Sequence, residues 1–375
     1  MSAHASCVAL ELELALVGRF PRMRALAWSG DWLYASRGYA VLRARMTRVI
    51  EWERVGLFRP AAWRSISSCS QLGSRCFRDG FHALVALPSG HLIGAVPGAI
   101  VTLSPGEAEF RVSHRVTRGL RPLHIAAAPN GQVCWGEYFD NPRRDAVHIY
   151  ASSDRGARWE VAYTLPRGAV RHVHNIVYDE WENCLWVLTG DQGRECRIIR
   201  ASCDFRTADV VLSGNQQARC AALVATRDAV YFSTDSPLEQ NHVYRLDRRN
   251  GEVRAVAELS GSSIYGCLVG DATFFSTMVE PSAINSSCDV ELYGSRDGVD
   301  WQHLQRWKKD RWPIGLFQYG NAFLPDGQNT TALLATTAIA VERSDMETSI
   351  WQVSRRPGES CAPSVPRFSR ANVRL

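Results

Sequence analysis

The sequence predicts an all-β fold in which one antiparallel sheet repeats along the chain. Short runs rich in Val, Ile, Tyr, Phe and Trp alternate with turns of Gly, Asp, Asn and Pro almost everywhere, and helical periodicity is scarce. The runs recur in groups of about four, and each group spans roughly 40–50 residues. One four-stranded sheet per repeat is typical of a β-propeller. We therefore predict a seven-bladed β-propeller of four-stranded antiparallel blades.

The group at 171–214 shows the pattern most clearly. Its first strand, RHVHNIVYD, is followed by CLWVLTGD, CRIIRAS and ADVVLSG, with a turn after each run. The same order of four runs places the other blades at about 20–57, 77–118, 121–165, 217–259, 263–308 and 314–355.

The last group lacks a fourth strand. The N-terminal run CVALELELAL at 7–16 has strand character but no group of its own. We therefore expect it to pair with the strand near 349–355, so that the two ends of the chain close the ring. Residues 1–360 are assigned to this single domain, and 361–375 to a C-terminal tail.

Composition narrows the classes of function. Hydrophobic residues make up 46% of the 375 residues and charged residues 22%, which is typical of a globular protein. The net charge of +5 comes without a basic block, which argues against a nucleic-acid partner. No run reaches the ~18 apolar residues of a membrane span. We expect no membrane partner.

The cysteines and the N-terminus predict a cytoplasmic protein with reduced thiols. Eleven Cys are scattered without a CxxC pair, and the first twenty residues lack the basic segment of a signal peptide. We expect no disulfide, and we expect four thiols in apolar strands to be buried, namely Cys134, Cys184, Cys220 and Cys267.

Three turns share a local pattern. The stretch 152–159 fits S-x-D-x-G-x-x-W, 295–301 is a compressed relative, and 202–205 is a degraded copy. Each lies between the third and fourth strands of its group. The Asp carboxylate can accept backbone N–H groups of its own turn, and Gly permits positive φ. We interpret these turns as structural.

Polar residues concentrate where first strands begin and second strands end. Because these strands are antiparallel, both places lie on one face of the disk, around the central funnel. First strands begin with Arg22, Arg24, Arg78, His82, Arg121, His124, Arg171, His172, His174, Arg219, Tyr265 and Tyr319. Second strands end with Glu137, Tyr138, Asp191, Asp235 and Glu280.

Three chemistries fit this group of residues. Arg121, Arg171 and Arg219 could hold the carboxylate of an acidic sugar, with His124 and Tyr265 beside them. His172 and His174 could bind a divalent metal with Asp191 or His124, although no cofactor is required. The carboxylates Glu137, Asp191, Asp235 and Glu280 could act as hydrolase acid–base pairs, or the His, Tyr138 and Tyr319 side chains could transfer protons in a β-elimination lyase.

The chain resembles bacterial sialidase-like proteins with BNR or Asp-box turns. The resemblance rests on segments such as Gly136–Phe139, Arg171–His174, Thr189–Asp191 and Thr234–Pro237, and it covers about 70–355. It implies a propeller that acts on carbohydrate. We predict a glycoside hydrolase for an anionic, uronate- or sialate-like glycan. The alternatives are a polysaccharide lyase, or a non-catalytic propeller that binds a glycan or a protein.

Overall fold

The computed structural model describes residues 11–355. The predicted tail at 361–375 and the first part of the predicted strand at 7–16 lie outside the described residues. The first half of the described chain contains β1 (Leu12–Pro21), β2 (Arg24–Gly30), β3 (Trp32–Arg37), β4 (Ala40–Arg45), β5 (Glu53–Leu57), α1 (Ala62–Ser67), α2 (Gln71–Phe77), β6 (Ala83–Ala86), β7 (Leu92–Val96), β8 (Ala99–Leu103), β9 (Arg111–Arg115), β10 (Ala126–Ala127), β11 (Val133–Gly136), β12 (Val147–Ser152) and β13 (Glu160–Leu165).

The second half continues the same alternation of strands. It contains β14 (Val173–Asp179), β15 (Cys184–Thr189), β16 (Arg197–Ser202), β17 (Ala208–Ser213), β18 (Cys220–Ala225), β19 (Ala229–Thr234), β20 (Asn241–Asp247), β21 (Val253–Leu259), β22 (Ser263–Val269), β23 (Ala272–Val279), β24 (Asp289–Ser295), β25 (Gln302–Lys308), α3 (Ile314–Phe317), β26 (Gly320–Phe323), β27 (Asp326–Asn329), β28 (Leu333–Ile339) and β29 (Glu347–Arg355).

The strands form a propeller of antiparallel blades, but the predicted count of seven blades is wrong. Within residues 11–355, hydrogen bonding gives five separate blades, namely β2–β5 with β27, β6–β9, β10–β13, β14–β17 and β18–β21. The remaining strands form one eight-stranded sheet in the order β1-β29-β28-β26-β23-β24-β25, with β22 on β23. The reason is the length of β23, whose eight residues carry Met278 and Val279 onto β26.

The N-terminal strand pairs with the last strand of the described chain. Leu12 lies opposite Arg355 and Pro21 opposite Glu347, so within the described residues the pairing covers 12–21 and continues past residue 16, where the predicted strand ends. The strand near 349–355 is therefore the partner that the sequence indicated.

The core lies between neighbouring sheets, where apolar side chains of adjacent strands meet. Ile149 of one blade packs with Ile176 and Val187 of the next. The approach is close: a Cβ on Gly136 would lie 2.4 Å from Val173 Cγ1, so only glycine fits there. In the described part of the chain no helix is long and apolar enough to cross a membrane.

The thiols behave nearly as predicted. All nine cysteines of the described residues are free. Cys134, Cys184 and Cys220 are buried, while Cys267 is only partly buried.

Within residues 11–355, three short α-helices and two 3-10 helices (Gly193–Glu195 and Gln216–Ala218) interrupt the strand pattern, and the sequence did not predict them. The α1–α2 pair follows β5, and α3 precedes β26. Ser70 caps α2 by accepting from the Gly73 N–H at 2.9 Å. Buried Arg75 ties α2 to the region of α3 through Asp310 at 2.5 Å and through the Phe317 carbonyl.

The turn at 152–159 has the predicted internal hydrogen bonds. The Asp154 carboxylate accepts from the Ser152 hydroxyl and from the Arg158 N–H, both at 2.9 Å. The Gly156 N–H donates to Ser152 Oγ, and Gly156 has φ of 82°.

Asp154→Ala should lower the free energy of unfolding by about 1–2 kcal/mol, since it removes two local hydrogen bonds at an exposed turn. Urea denaturation measures the effect. Asp228→Ala, at another exposed turn, is the matched control and should change stability by less than about 0.5 kcal/mol. Equal losses in the two variants would contradict this account of the turn.

Candidate functional site

One face of the propeller collects the beginnings of first strands and the ends of second strands, and we call it the upper face. The connections that run from fourth to first strands and from second to third strands lie there too. These connections include α1, α2 and α3. The turn at 152–159 joins a third strand to a fourth and therefore lies on the opposite, lower face.

Bulges occur at the same place in several first strands. The register shifts at Leu26 in β2, at His174 in β14, at Ala221 in β18 and at Ile264 in β22. A bulge changes the direction of the side chains around it. In β14 the extra residue is His174, whose ring centroid lies 4.9 Å from that of His172.

His172, His174 and Asp191 form the tightest polar cluster of the upper face. The two Nε2 atoms are 3.0 Å apart. Asp191 Oδ1 lies 3.3 Å from His174 Nε2, and Oδ2 lies 3.6 Å from His172 Nε2. All three residues are less than a tenth exposed. Burial lowers the pKa of the His174 imidazole.

Two arginines compensate the Asp191 carboxylate. Arg171 Nη1 lies 3.1 Å from Oδ2 and Arg219 Nη2 lies 3.5 Å from Oδ1. Arg171 also pairs with Asp140, and Arg219 lies 3.9 Å from Asp235. Residues from three consecutive blades therefore share one network of charges.

Asp235 is the weakly compensated member of this network. Its Oδ1 is buried without a hydrogen-bond partner. Burial, together with the charges of Glu280 and Asp191, raises the pKa of Asp235 to about 7, although Arg219 opposes the rise. Asp235 therefore titrates near neutral pH.

Tyr138 covers the histidines. Its ring centroid is 4.3 Å from that of His172 and 6.2 Å from that of His174. Burial, with the charges of Asp235 and Asp191, raises the pKa of Tyr138 to about 12. The phenol is therefore protonated at neutral pH and can donate a hydrogen bond.

A second cluster on the upper face is cationic. Burial, together with the charges of Arg24 and Arg78, lowers the pKa of Arg121 to about 9. Burial lowers the pKa of Arg24 to about 10, and its guanidinium stacks 3.5 Å over the Phe323 ring. No carboxylate of the described residues pairs with Arg24, Arg78 or Arg121, and Arg121 Nε is buried without a partner. We call these three residues the arginine cluster.

Several predicted site residues lie elsewhere. Glu137 is buried in an ion pair with Arg118 and accepts from the His148 N–H at 2.8 Å, so both carboxylate oxygens are occupied within its own blade. His124 Nδ1 lies 2.8 Å from Asp326 Oδ2, in a central cavity of about 560 Å³.

Glu280, Tyr319 and Tyr265 lie at the edges of the two clusters. Ser262 donates to Glu280 at 3.1 Å. Burial raises the pKa of Tyr319, and Glu280 adds to the rise. Burial raises the pKa of Tyr265 well above its usual range, although Arg24 and Arg121 oppose the rise.

Sequence reasoning missed two features, namely Arg118 and the segment that contains α1 and α2. Arg118 lies in a connection, outside every strand run, and nothing in its neighbourhood indicates a partner. The segment 58–76 could have been noticed because it belongs to no predicted blade and contains Ser70 three residues before Gly73, a plausible helix start.

Comparisons with known proteins support the fold alone. No family model and no curated protein matches the chain. A chain of a crystal structure of the mitotic checkpoint complex matches with a TM-score of 0.57 and 10% identity, over 94% of this chain and 98% of that one. The WD40 β-propeller domain of Doa1 matches with a TM-score of 0.53 and 11% identity, over 91% of this chain and 96% of that domain.

These matches correct the predicted family, function and partner. The structure is a β-propeller, but nothing in the comparisons shows a BNR or Asp-box sialidase-like family. The prediction of a glycosidase for an anionic glycan is wrong, because the propellers that match belong to a checkpoint assembly and a WD40 domain. The geometry of the site also disagrees with a hydrolase pair that includes Glu137, because the Glu137 carboxylate forms an ion pair with Arg118 and does not face Asp191.

The raised pKa of Asp235 predicts a pH-dependent stability. Between about pH 4 and pH 7 the folded protein keeps a proton that the unfolded chain has lost, so the free energy of unfolding should fall as pH rises through this window. The upper limit of the fall is on the order of 4 kcal/mol, since one pKa unit corresponds to about 1.4 kcal/mol.

Asp235→Asn should remove this fall, and the variant should be more stable than the wild type at pH 8. Urea denaturation at a series of pH values measures both. Asp228→Asn, at an exposed turn, should keep the wild-type slope. If Asp235→Asn also keeps it, the burial argument is contradicted.

Proposed function

We propose that this protein is a non-catalytic propeller that binds a protein partner on its upper face. The bound segment of the partner carries an acidic side chain next to apolar ones. The observation that carries the proposal is that exposed apolar side chains and the arginine cluster meet at α2.

The apolar part is formed by the three helices. Ile66 is 75% exposed and Leu316 is 60% exposed, with Trp63, Phe77 and Trp312 about half exposed. The Trp63 and Phe77 rings are 5.4 Å apart, and those of Trp312 and Phe317 are 5.1 Å apart. Contiguous exposed apolar side chains of this kind mark interaction surfaces. We call this group the helical rim.

The arginine cluster begins where the helical rim ends. Arg78 directly follows Phe77 and forms the left-handed C-cap of α2. Its carbonyl accepts from His82 Nε2 at 2.7 Å, and Arg24 Nη1 donates to His82 Nδ1 at 3.0 Å. His82 therefore connects two arginines of the cluster.

Charge indicates the chemistry of the partner. Arg24 and Arg78 lower the pKa of Arg121, so the three guanidinium groups gain from a bound carboxylate, which can accept bidentate hydrogen bonds. The chain's own residues 356–375 do not complement this charge, since they contain Arg356, Arg367, Arg370 and Arg374 against Glu359. An acidic segment of another protein fits better.

A displayed library of random peptides, selected on the full chain, tests the proposal. We expect selected peptides to contain Asp or Glu beside aromatic or aliphatic residues. Arg121→Gln should weaken their binding by about 10- to 100-fold, as expected for a lost charge-assisted hydrogen bond. Trp63→Ala should weaken it by at least about 10-fold. Calorimetric titration of synthetic peptides measures both.

Matched controls lie on the lower face. Trp181→Ala and Arg227→Gln remove an exposed tryptophan and an exposed arginine from turns between first and second strands, and they should leave the affinity unchanged. Selected peptides without acidic residues would overturn the proposal. The proposal would also be overturned if Arg121→Gln and Trp63→Ala bound the peptides with wild-type affinity. It would be overturned as well if the protein formed a concentration-dependent dimer that Ile66→Asp dissociates, since the helical rim would then bind a second copy of this chain.

A further inference from the structure

The two histidines of the upper face have fixed tautomers. His172 Nδ1 lies 3.0 Å from the Phe139 carbonyl, and His174 Nδ1 lies 3.0 Å from the Cys220 carbonyl. A carbonyl oxygen only accepts, so both Nδ1 atoms must carry the proton. In the neutral rings both Nε2 atoms are therefore lone-pair acceptors.

These two lone pairs converge with a carboxylate. The Nε2 atoms are 3.0 Å apart, and Asp191 offers an oxygen to each. Within the described residues, each Nε2 atom contacts the other Nε2 atom and an Asp191 oxygen, and no other N–H or O–H group donates to it. Three acceptors in a buried site repel one another unless a cation lies between them.

The spacing fits a small tetrahedral cation. Two ligand atoms about 2.0 Å from a zinc ion are roughly 3.3 Å apart in tetrahedral geometry. Here the two Nε2 atoms are 3.0 Å apart, Asp191 Oδ1 lies 3.3 Å from one of them and Asp191 Oδ2 lies 3.6 Å from the other. The two Nε2 atoms and an oxygen of Asp191, which all lie within 4.8 Å of one another, can thus reach one ion after small shifts.

The surroundings hold the ligands in place. Nδ1–H groups that donate to backbone carbonyls are the arrangement that orients metal-binding histidines. Arg171 and Arg219 orient Asp191, whose two oxygens have enough lone pairs to accept from arginine and still bind an ion. The Tyr138 ring covers His172 and limits access of water.

A second group of possible metal ligands already has a cation beside it, unlike the first. Asp179, Glu182 and Cys184 also lie close together. There Arg248 places its nitrogens 2.7 Å from Asp179 and 3.1 Å from Glu182, so a cation is already present. In the first group, arginine reaches only the carboxylate, and the two Nε2 atoms face each other without a cation.

We propose that His172, His174 and Asp191 bind a divalent transition-metal ion of the zinc class. Two imidazoles and one carboxylate are a ligand set that zinc uses, and three protein ligands leave a fourth position for water. The site shares no residue with the arginine cluster, so the proposal goes beyond partner binding.

Titration of chelator-treated protein with Co²⁺ and Zn²⁺ tests this. We expect one equivalent of Co²⁺ to produce visible absorption of a four- or five-coordinate ion, Zn²⁺ to displace it, and both ions to raise the Tm. His174→Ala and the nearly isosteric Asp191→Asn should each weaken binding by at least about 100-fold.

His124→Ala is the matched control, because His124 also contacts a carboxylate but has no second imidazole nearby. It should keep the wild-type affinity. The proposal is overturned if the wild type binds no metal, if Asp191→Asn and His174→Ala bind as tightly as the wild type, or if His124→Ala loses the binding. Circular dichroism and Tm establish that each variant is folded.

Discussion

The upper face depends on one buried carboxylate, that of Asp191. Less than a tenth of Asp191 is exposed to solvent. A charge that is buried in this way must be compensated by nearby hydrogen-bond donors or cations. Asp191 draws Arg171 from its own blade and Arg219 from the next one, and both histidines lie against it. The positions of β14 and β18 relative to each other are thus fixed by electrostatics as well as by apolar packing.

Charge is distributed unevenly around the funnel. On the side of β14 and β18, arginines are paired with Asp140, Asp191 and Asp235. On the side of β2 and β6, the arginine cluster has no carboxylate partner in the described residues, and the helical rim begins beside it. An acidic ligand is therefore attracted to one side, and a metal ion to the other.

The sequence predicted the strands and the shared face because both follow from local patterns and from antiparallel pairing. Contacts between distant residues could not be predicted. Glu137 pairs with Arg118 from a connection, and β23 reaches β26 through two extra residues. The family prediction failed for a related reason: the turn at 152–159 works by local hydrogen bonds, so it indicates a turn and not a function.

The central claim is that a metal ion, and not a shared proton, lies between His172 and His174. Imidazole ¹⁵N NMR of histidine-labelled protein with one equivalent of Zn²⁺ at neutral pH tests it most directly. Single-histidine variants assign the signals. The account predicts that both rings are neutral, with the proton on Nδ1 and none on Nε2. A ring that carries protons on both nitrogens would contradict it.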